Sequence, residues 1–351
     1  MDINSLKQWF LNNRRDLPWR EETSAYRVWV SEIMLQQTQV SVVVPYFLRW
    51  MERFPTVERL AAAPIEEVIK EWEGLGYYSR ARNLHEGAKQ IVKNFNGQLP
   101  SEENKLKTIK GIGSYTVGAI RSFAFHEKAP AVDGNVMRVI SRLFEIEGDI
   151  TKKGTQQEIY EQVLKILPDF EPWIISEALI ELGATICTKK PICNQCPLKK
   201  HCIAFKKGSW NRLPYKSTKT TITNLHRLVS VIIRGQYLLL RKGEKGKVMH
   251  DLHEFPYFEI QNENFEKETL QNLVRHSFSM EIEKIGYLNK EIHSFTRFKA
   301  HLYPEIFHTV QSCNIPEYHW YHFNEVDKLA FSSGHRRIYQ AFKKIYRTSI
   351  R

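Results

Sequence analysis

Two carboxylates stand where their surroundings would push them toward opposite protonation states. Glu32 lies in "SEIMLQQTQV", a stretch that otherwise reads as a buried helix. On a helical period Val28, Trp29 and Leu35 share its side, so the carboxyl points at apolar neighbours and its pKa is expected to rise. Asp133, in "AVDGNVMRVISRLF", falls at the N-cap of a helix, where backbone N–H groups and the helix dipole are expected to keep it ionised and lower its pKa. Taken singly, Glu32 reads as a buried polar residue satisfied by its neighbours and Asp133 as a plain cap. Together they offer a neutral acid and an ionised partner. Acid-assisted cleavage of a glycosidic bond needs that pair: one group protonates the leaving group, and the other stabilises an oxocarbenium-like sugar.

Four of the five cysteines form a second constellation, Cys187, Cys193, Cys196 and Cys202, in "CTKKPICNQCPLKKHC". Five are too few and too clustered for a secreted disulfide framework. A C-x5-C-x2-C-x5-C set is compatible with an iron–sulfur cluster, a structural zinc or unliganded thiols. Zinc sites usually pair two close couples, and only Cys193 and Cys196 make one here, which favours the cluster. Cys313 stands alone and is given no role.

These residues must be carried by helices on one side of the chain and by a mixed fold on the other. From Leu6 to Leu182 apolar residues recur at three and four. In "LKTIKGIGSYTVGAI", Leu106 and Ile109 close one short helix, Gly111 and Gly113 allow a tight turn, and Val117 and Ile120 begin another. Such a helix–hairpin–helix can offer backbone N–H groups to a phosphate, although an ordinary interhelical turn has the same pattern. "KKGSWNRLPYKSTKTT" then reads as a basic linker. Beyond it come a hairpin ("HRLVSVIIR", a "GQ" turn, "YLLLRK"), a helix ("NFEKETLQNLVRHSF") and strands at 285–288 and 298–309, an α+β second domain.

Charge points toward a polyanionic partner. Lys and Arg outnumber Asp and Glu by 51 to 39, and no acidic residue occurs between Glu181 and Glu244, where Lys189, Lys190, Lys199, Lys200, Lys206, Lys207, Arg212, Lys216 and Lys219 crowd the first part. By itself the run reads as a solvated basic linker, and nucleic acid is the leading alternative. No apolar run is long enough to span a bilayer and the start lacks a secretion signal, so a cytosolic protein is expected, nucleoid-associated if bacterial, with no membrane partner.

The order of "RDLPWR", "WVSEIMLQQTQV", "EGLGYYSRARNLH", "IKGIGSYTVGAI", "AVDGNVMRV", "ALIELGA" and the four cysteines resembles that of MutY-type adenine DNA glycosylases, from about Leu6 to Cys202 and more weakly beyond. The resemblance implies a mostly α helix–hairpin–helix glycosylase domain over 1–205, with its hairpin at 105–121 and a [4Fe–4S] loop at 187–202. A linker at 206–224 and a nudix-like lesion-recognition domain over 225–351 would follow. It makes Glu32 the acid that protonates adenine and then helps activate water, and Asp133 the stabiliser of the cationic sugar or its adduct. Tyr115 and Asn135 would support them. Trp19, Arg20 and Glu177 would line the base pocket. Gln37 and Tyr77 would wedge into the duplex, with Leu75 packed nearby, and Gly111 and Gly113 would meet the DNA backbone. Phe295, Thr296 and Arg297 occupy the positions that read the lesion, Arg297 standing in place of the usual His.

Two further departures accompany this. The first cysteine spacing is one residue shorter than in the family, and Asp251 and His253 replace more usual residues before Glu254-Phe255-Pro256. Nothing resembles a nudix metal box, which counts against nucleotide hydrolysis. Bifunctional relatives carry a lysine nucleophile where this chain has Tyr115, and a phenol cannot form the Schiff base, which counts against a glycosylase/lyase for oxidised pyrimidines. A catalytically silent DNA-binding protein is disfavoured because both carboxylates are kept. The expectation is a monomeric, monofunctional adenine glycosylase acting on duplex DNA with A opposite 8-oxoguanine or G.

Overall fold

The computed structural model describes residues 3–217, 221–244, 246, 249–266 and 269–349. Lys219 and the rest of 218–220 in the expected linker, and 267–268 in the expected helix, lie outside the described residues. The chain packs as two compact units, Met1–Ala63 with Asn83–Lys219, and Pro64–Arg82 with Thr220–Arg351.

The first unit is helical, with no strand among its described residues. Its central helix, Ala25–Leu35, starts where the Ser24 hydroxyl accepts from Arg27 N at 3.3 Å. Tyr26, Val28, Trp29, Val30, Ile33 and Met34 are all buried, so this helix is apolar around most of its circumference and its Glu32 has nowhere wet to point. The Gly134–Phe144 helix is amphipathic instead: Val136, Val139, Ile140 and Leu143 recur at three and four and enter a core with Leu6, Phe10, Val163, Leu179 and Leu182. Between Glu103–Leu106 and Ser114–Ala119 runs the expected hairpin. Gly111 is required there, because φ is +84° and a Cβ would stand 2.8 Å from that of Asn83.

Past Cys202 the chain forms a short helix, Ile203–Lys207, and stays bound to this unit. Arg142, almost wholly buried, donates from Nε to the carbonyls of Trp210 and Leu213 at 3.0 Å each, and Ile150 N donates to Tyr215 O at 3.0 Å. The first half of the composition-based linker is therefore pinned rather than loose.

Among its described residues the second unit carries a mixed sheet of eight strands: β1 Thr223–Arg234, β2 Tyr237–Lys242, β3 His253–Glu254, β4 Tyr257–Ile260, β5 Glu283–Tyr287, β6 Glu291–Phe295, β7 Phe298–His308 and β8 Tyr318–His322. The order β3-β2-β1-β7-β5 is joined by β4 on β1, β6 on β7 and β8 on β2. β1 and β7 pair in parallel from Thr223↔Phe298 to Ile233↔His308, and β1 is buried on both faces from Leu228 to Ile233. Its residues alternate accordingly. Val229, Val231 and Ile233 pack with Ile338 and Phe342 of the Ser333–Ser349 helix, while Leu228 and Ile232 pack with Leu270 and Val274 of the Thr269–Phe278 helix. That second helix begins later than its sequence pattern suggests, since the Asn262 side chain accepts from Asn264 N at 2.9 Å and holds a turn there.

Residues 64–82 join this unit although they lie inside the contiguous span 1–205. Glu73 explains why: it accepts from Arg336 Nε at 2.6 Å and Arg336 Nη2 at 3.0 Å, and also from Phe331 N at 3.0 Å.

Candidate active site

In the first unit a cleft of about 1090 Å³ is lined by Trp19, Arg20, Glu32, Gln37, Tyr115, Asp133, Asn135 and Glu177, eight of the residues singled out from the sequence. Glu32 comes from the buried helix and Asp133 from the cap of the amphipathic one. Tyr115, in the first turn after the hairpin, donates its hydroxyl to Glu32 Oε2. Burial drives the Glu32 carboxyl up to about 7, against the Tyr115 hydrogen bond and with help from the nearby Asp133 charge. The same burial lifts the Tyr115 phenol well above its ordinary range, so it stays a donor.

Asp133 caps its helix as expected, Oδ1 accepting from Val136 N at 2.8 Å and Oδ2 from Asn135 Nδ2 at 2.7 Å. Its pKa departs from expectation. Burial raises it above the usual carboxylate value, outweighing those hydrogen bonds and Arg138. The contrast between the carboxyls is therefore one of degree: both are lifted, and Glu32 is carried up to about 7.

Across the cleft, Arg20 donates from Nε to Glu177 at 2.7 Å and from Nη2 to Glu181 at 3.1 Å, while Arg15 binds Glu181 through Nε at 2.6 Å. Burial raises Glu177. Burial also acts on Glu181, whose side chain is fully enclosed, but the hydrogen bonds and charges of Arg15 and Arg20 outweigh it and hold Glu181 low. Trp19 is 7% exposed and meets Phe47 edge-on at 5.4 Å between ring centres. The result is an aromatic and apolar slot with fixed polar groups, suited to a flat heterocycle.

The sequence reading missed Arg15, Glu181 and Arg138, all on the cleft wall. Glu177 and Glu181 are four apart on one helix and could have been paired by spacing. Arg138, three residues after Asn135, donates from Nη2 to Asn135 Oδ1 at 2.8 Å and to Gly183 O at 2.7 Å, and from Nε to Cys187 O at 2.7 Å. Gly183 makes this close approach feasible, because a Cβ there would meet that of Asn135 at 2.6 Å.

The four cysteines line a small cavity of about 30 Å³ with Arg142, Lys199 and Trp210. Arg142 Nη1 donates to Cys187 Sγ at 3.4 Å. Burial pushes the Cys193, Cys196 and Cys202 thiols up, Cys196 to about 11, so a cation among them is what would hold them as thiolates. Among the described residues no three His, Cys, Asp or Glu side chains converge as a single-ion site. Gly111 and Gly113 sit on the hairpin of this same unit, and a Cβ on Gly113 would meet nothing within 4 Å, leaving room beside the backbone there.

The remaining residues belong to the second unit. Leu75 is buried, whereas Tyr77 is 42% exposed at φ +50°. Phe295 pairs with Phe298 across the β6–β7 hairpin, whose two-residue tip is Thr296, at φ +49°, and Arg297. Both tip side chains are exposed.

Residues 30–165 match the family described as HhH-GPD superfamily base excision DNA repair protein, and residues 228–341 match the NUDIX domain. An adenine DNA glycosylase of Arabidopsis thaliana is 35% identical over 355 residues, covering 86% of this chain and 56% of the relative. One from Rattus norvegicus is 30% identical over 401 residues, covering 97% of this chain and 77% of the relative. The solved structure of a thermostable thymine-DNA glycosylase is 25% identical with a TM-score of 0.53, covering 58% of this chain and 95% of that one. With the hairpin, the carboxyl pair and both domain matches in their expected order, the chain belongs to the adenine DNA glycosylase family of the HhH-GPD superfamily of base excision DNA repair proteins.

Proposed function

We propose that this chain excises adenine from duplex DNA in which A stands opposite 8-oxoguanine or G, as a monofunctional glycosylase. The observation that carries the reading is the meeting of Glu32, Tyr115 and Asp133 on one cleft wide enough for a flipped base. With a pKa of about 7, Glu32 is substantially protonated at neutral pH and can give its proton to the adenine ring. The C1′–N9 bond then breaks and its electron pair leaves with the base. Asp133, held by Val136 N and Asn135, faces the developing cation. Water adds at C1′ and its proton returns to Glu32, leaving an abasic sugar. Tyr115 has no amine with which to form a Schiff base, so the strand stays intact. Trp19, Arg20 and Glu177 hold the extruded adenine. Gln37 and Tyr77 are the wedges that fill the gap in the stack, Leu75 belongs to the same loop as Tyr77, and Phe295, Thr296 and Arg297 read the opposite base.

The test uses duplexes with A opposite 8-oxoguanine, G or T. Strand breaks appearing only after alkali, and fastest with the first two partners, are expected. Breaks without alkali would replace this reading with a lyase.

Cys187, Cys193, Cys196 and Cys202 fit a [4Fe–4S] cluster. The four half-buried cysteines line one cavity, and each cysteine of a cluster ligates a different iron. When bound, the cluster supplies the charge that keeps the thiolates ionised and fixes a lysine-rich loop beside the DNA backbone. Purified protein should carry iron and acid-labile sulfide in equal amounts, both lost in Cys196→Ala. Stoichiometric zinc in place of iron would reject the cluster.

A further inference from the structure

The loop 74–78, "GLGYY", is held by a residue to which the reading above gives no task. Arg80 is 8% exposed, and its Nη2 donates to two consecutive carbonyls, Leu75 O and Gly76 O, at 3.0 Å each. Its guanidinium plate lies 5.2 Å from the ring centre of Trp72 and 5.7 Å from that of Tyr77. Trp72, fully buried, adds a hydrogen bond from Nε1 to Gly76 O at 3.0 Å. The chain needs this support, because Gly76 is at φ +71° and Tyr77 at φ +50°. A bulky side chain in the left-handed region is strained, and the conformation lasts only if its surroundings over-determine it. The strain has a visible result: Tyr77 is 42% exposed while its neighbours Leu75 and Tyr78 are buried.

We infer that Arg80 is the positioning residue for the Tyr77 wedge, setting the ring outward by binding the two carbonyls before it and stacking beneath it. This rests on the reading of Tyr77 as the side chain that fills the space left by the flipped base. The task is specific to a guanidinium. Its flat plate lies against Trp72 and Tyr77 while Nη2 serves the two carbonyls, whereas a lysine ammonium could reach carbonyls but has no plane to stack. Arg80 acts through Tyr77 and does not itself touch the reacting atoms.

The experiment is a double-mutant cycle on the full chain with Arg80→Met, Arg80→Lys, Tyr77→Ala and the two combinations. The readouts are 2-aminopurine fluorescence beside the target adenine, which reports unstacking, and single-turnover excision. Tyr77→Ala and each Arg80 substitution alone should lower unstacking and excision by about tenfold, the size expected when one strained conformer is lost. In the Tyr77→Ala background the Arg80 substitutions should then cost less than about twofold, because coupled residues are not additive. The same loss from Arg80→Met in both backgrounds overturns the proposal, as does rescue by Arg80→Lys. If Tyr77→Ala is impaired and the Arg80 variants are not, this inference alone fails. If Tyr77→Ala is unimpaired, the wedge reading fails and this one with it. Should both Arg80 variants fail to fold, the guanidinium holds the domain rather than the wedge, and the proposal is likewise overturned.

Discussion

Glu32 illustrates how far one side chain can be at odds with the fold that carries it. Its pKa rises from an ordinary 4.5 to about 7, so the folded protein holds a proton there that the unfolded chain has released. Stability from this group is complete below 4.5 and falls as pH climbs toward 7, by up to about 3 kcal/mol. Glu32→Gln keeps the acceptor for Tyr115 and removes the charge. Thermal melts should therefore show the variant more stable than wild type at pH 8, with the gain vanishing near pH 4.5. Adenine excision should be abolished while lesion-duplex binding persists, and robust turnover would remove Glu32 from the chemistry. In wild type the single-turnover rate should decline above pH 7 as the acid is lost. Asp133 marks the limit of what spacing reveals. The cap was legible from "AVDGN", but the upward shift was not, because it depends on burial created by chain remote in sequence.

At the scale of elements, two helices meet where Gly183 faces Asn135. Gly183→Val should drive them apart, destabilising the protein by about 1–3 kcal/mol as overpacking does. It should also cut excision more than DNA binding, because Asp133 and Asn135 ride on the displaced helix start. Denaturant melts and single-turnover rates would check this, and an unchanged rate would mean that the helix start is not fixed by this contact. The helical first half, the glycine hairpin and the β1–β2 hairpin were all readable from periodicity and turn residues. The Arg15–Glu181 pair was not, since its partners lie 166 residues apart and only the folded helices bring them together. The pinned stretch 208–217 was hidden for a related reason. Its composition is that of a linker, and what holds it is the distant Arg142.

For the whole molecule, a formal net charge of +12 and a long stretch without acids predict strong dependence on salt. If the protein neutralises six or more phosphates, affinity should fall by about a thousandfold between ~50 and ~200 mM salt. Band-shift titrations should find similar slopes for duplexes with and without a mispair, whereas a shallow slope would mean that few lysines reach the backbone. The folding order follows from a different feature. Glu73 accepts hydrogen bonds from Arg336 and Phe331 as well as from the nearby Lys70, and the carbonyl of Phe331 receives the Tyr78 hydroxyl at 3.3 Å. On the ribosome the segment 64–82 therefore emerges early and must wait for residues made some 250 positions later before it can settle. A polypeptide cut short of Phe331 would own its carboxyl pair yet lack the anchor that fastens the segment 64–82, so wedging of the duplex should suffer in it before the chemistry of the cleft does.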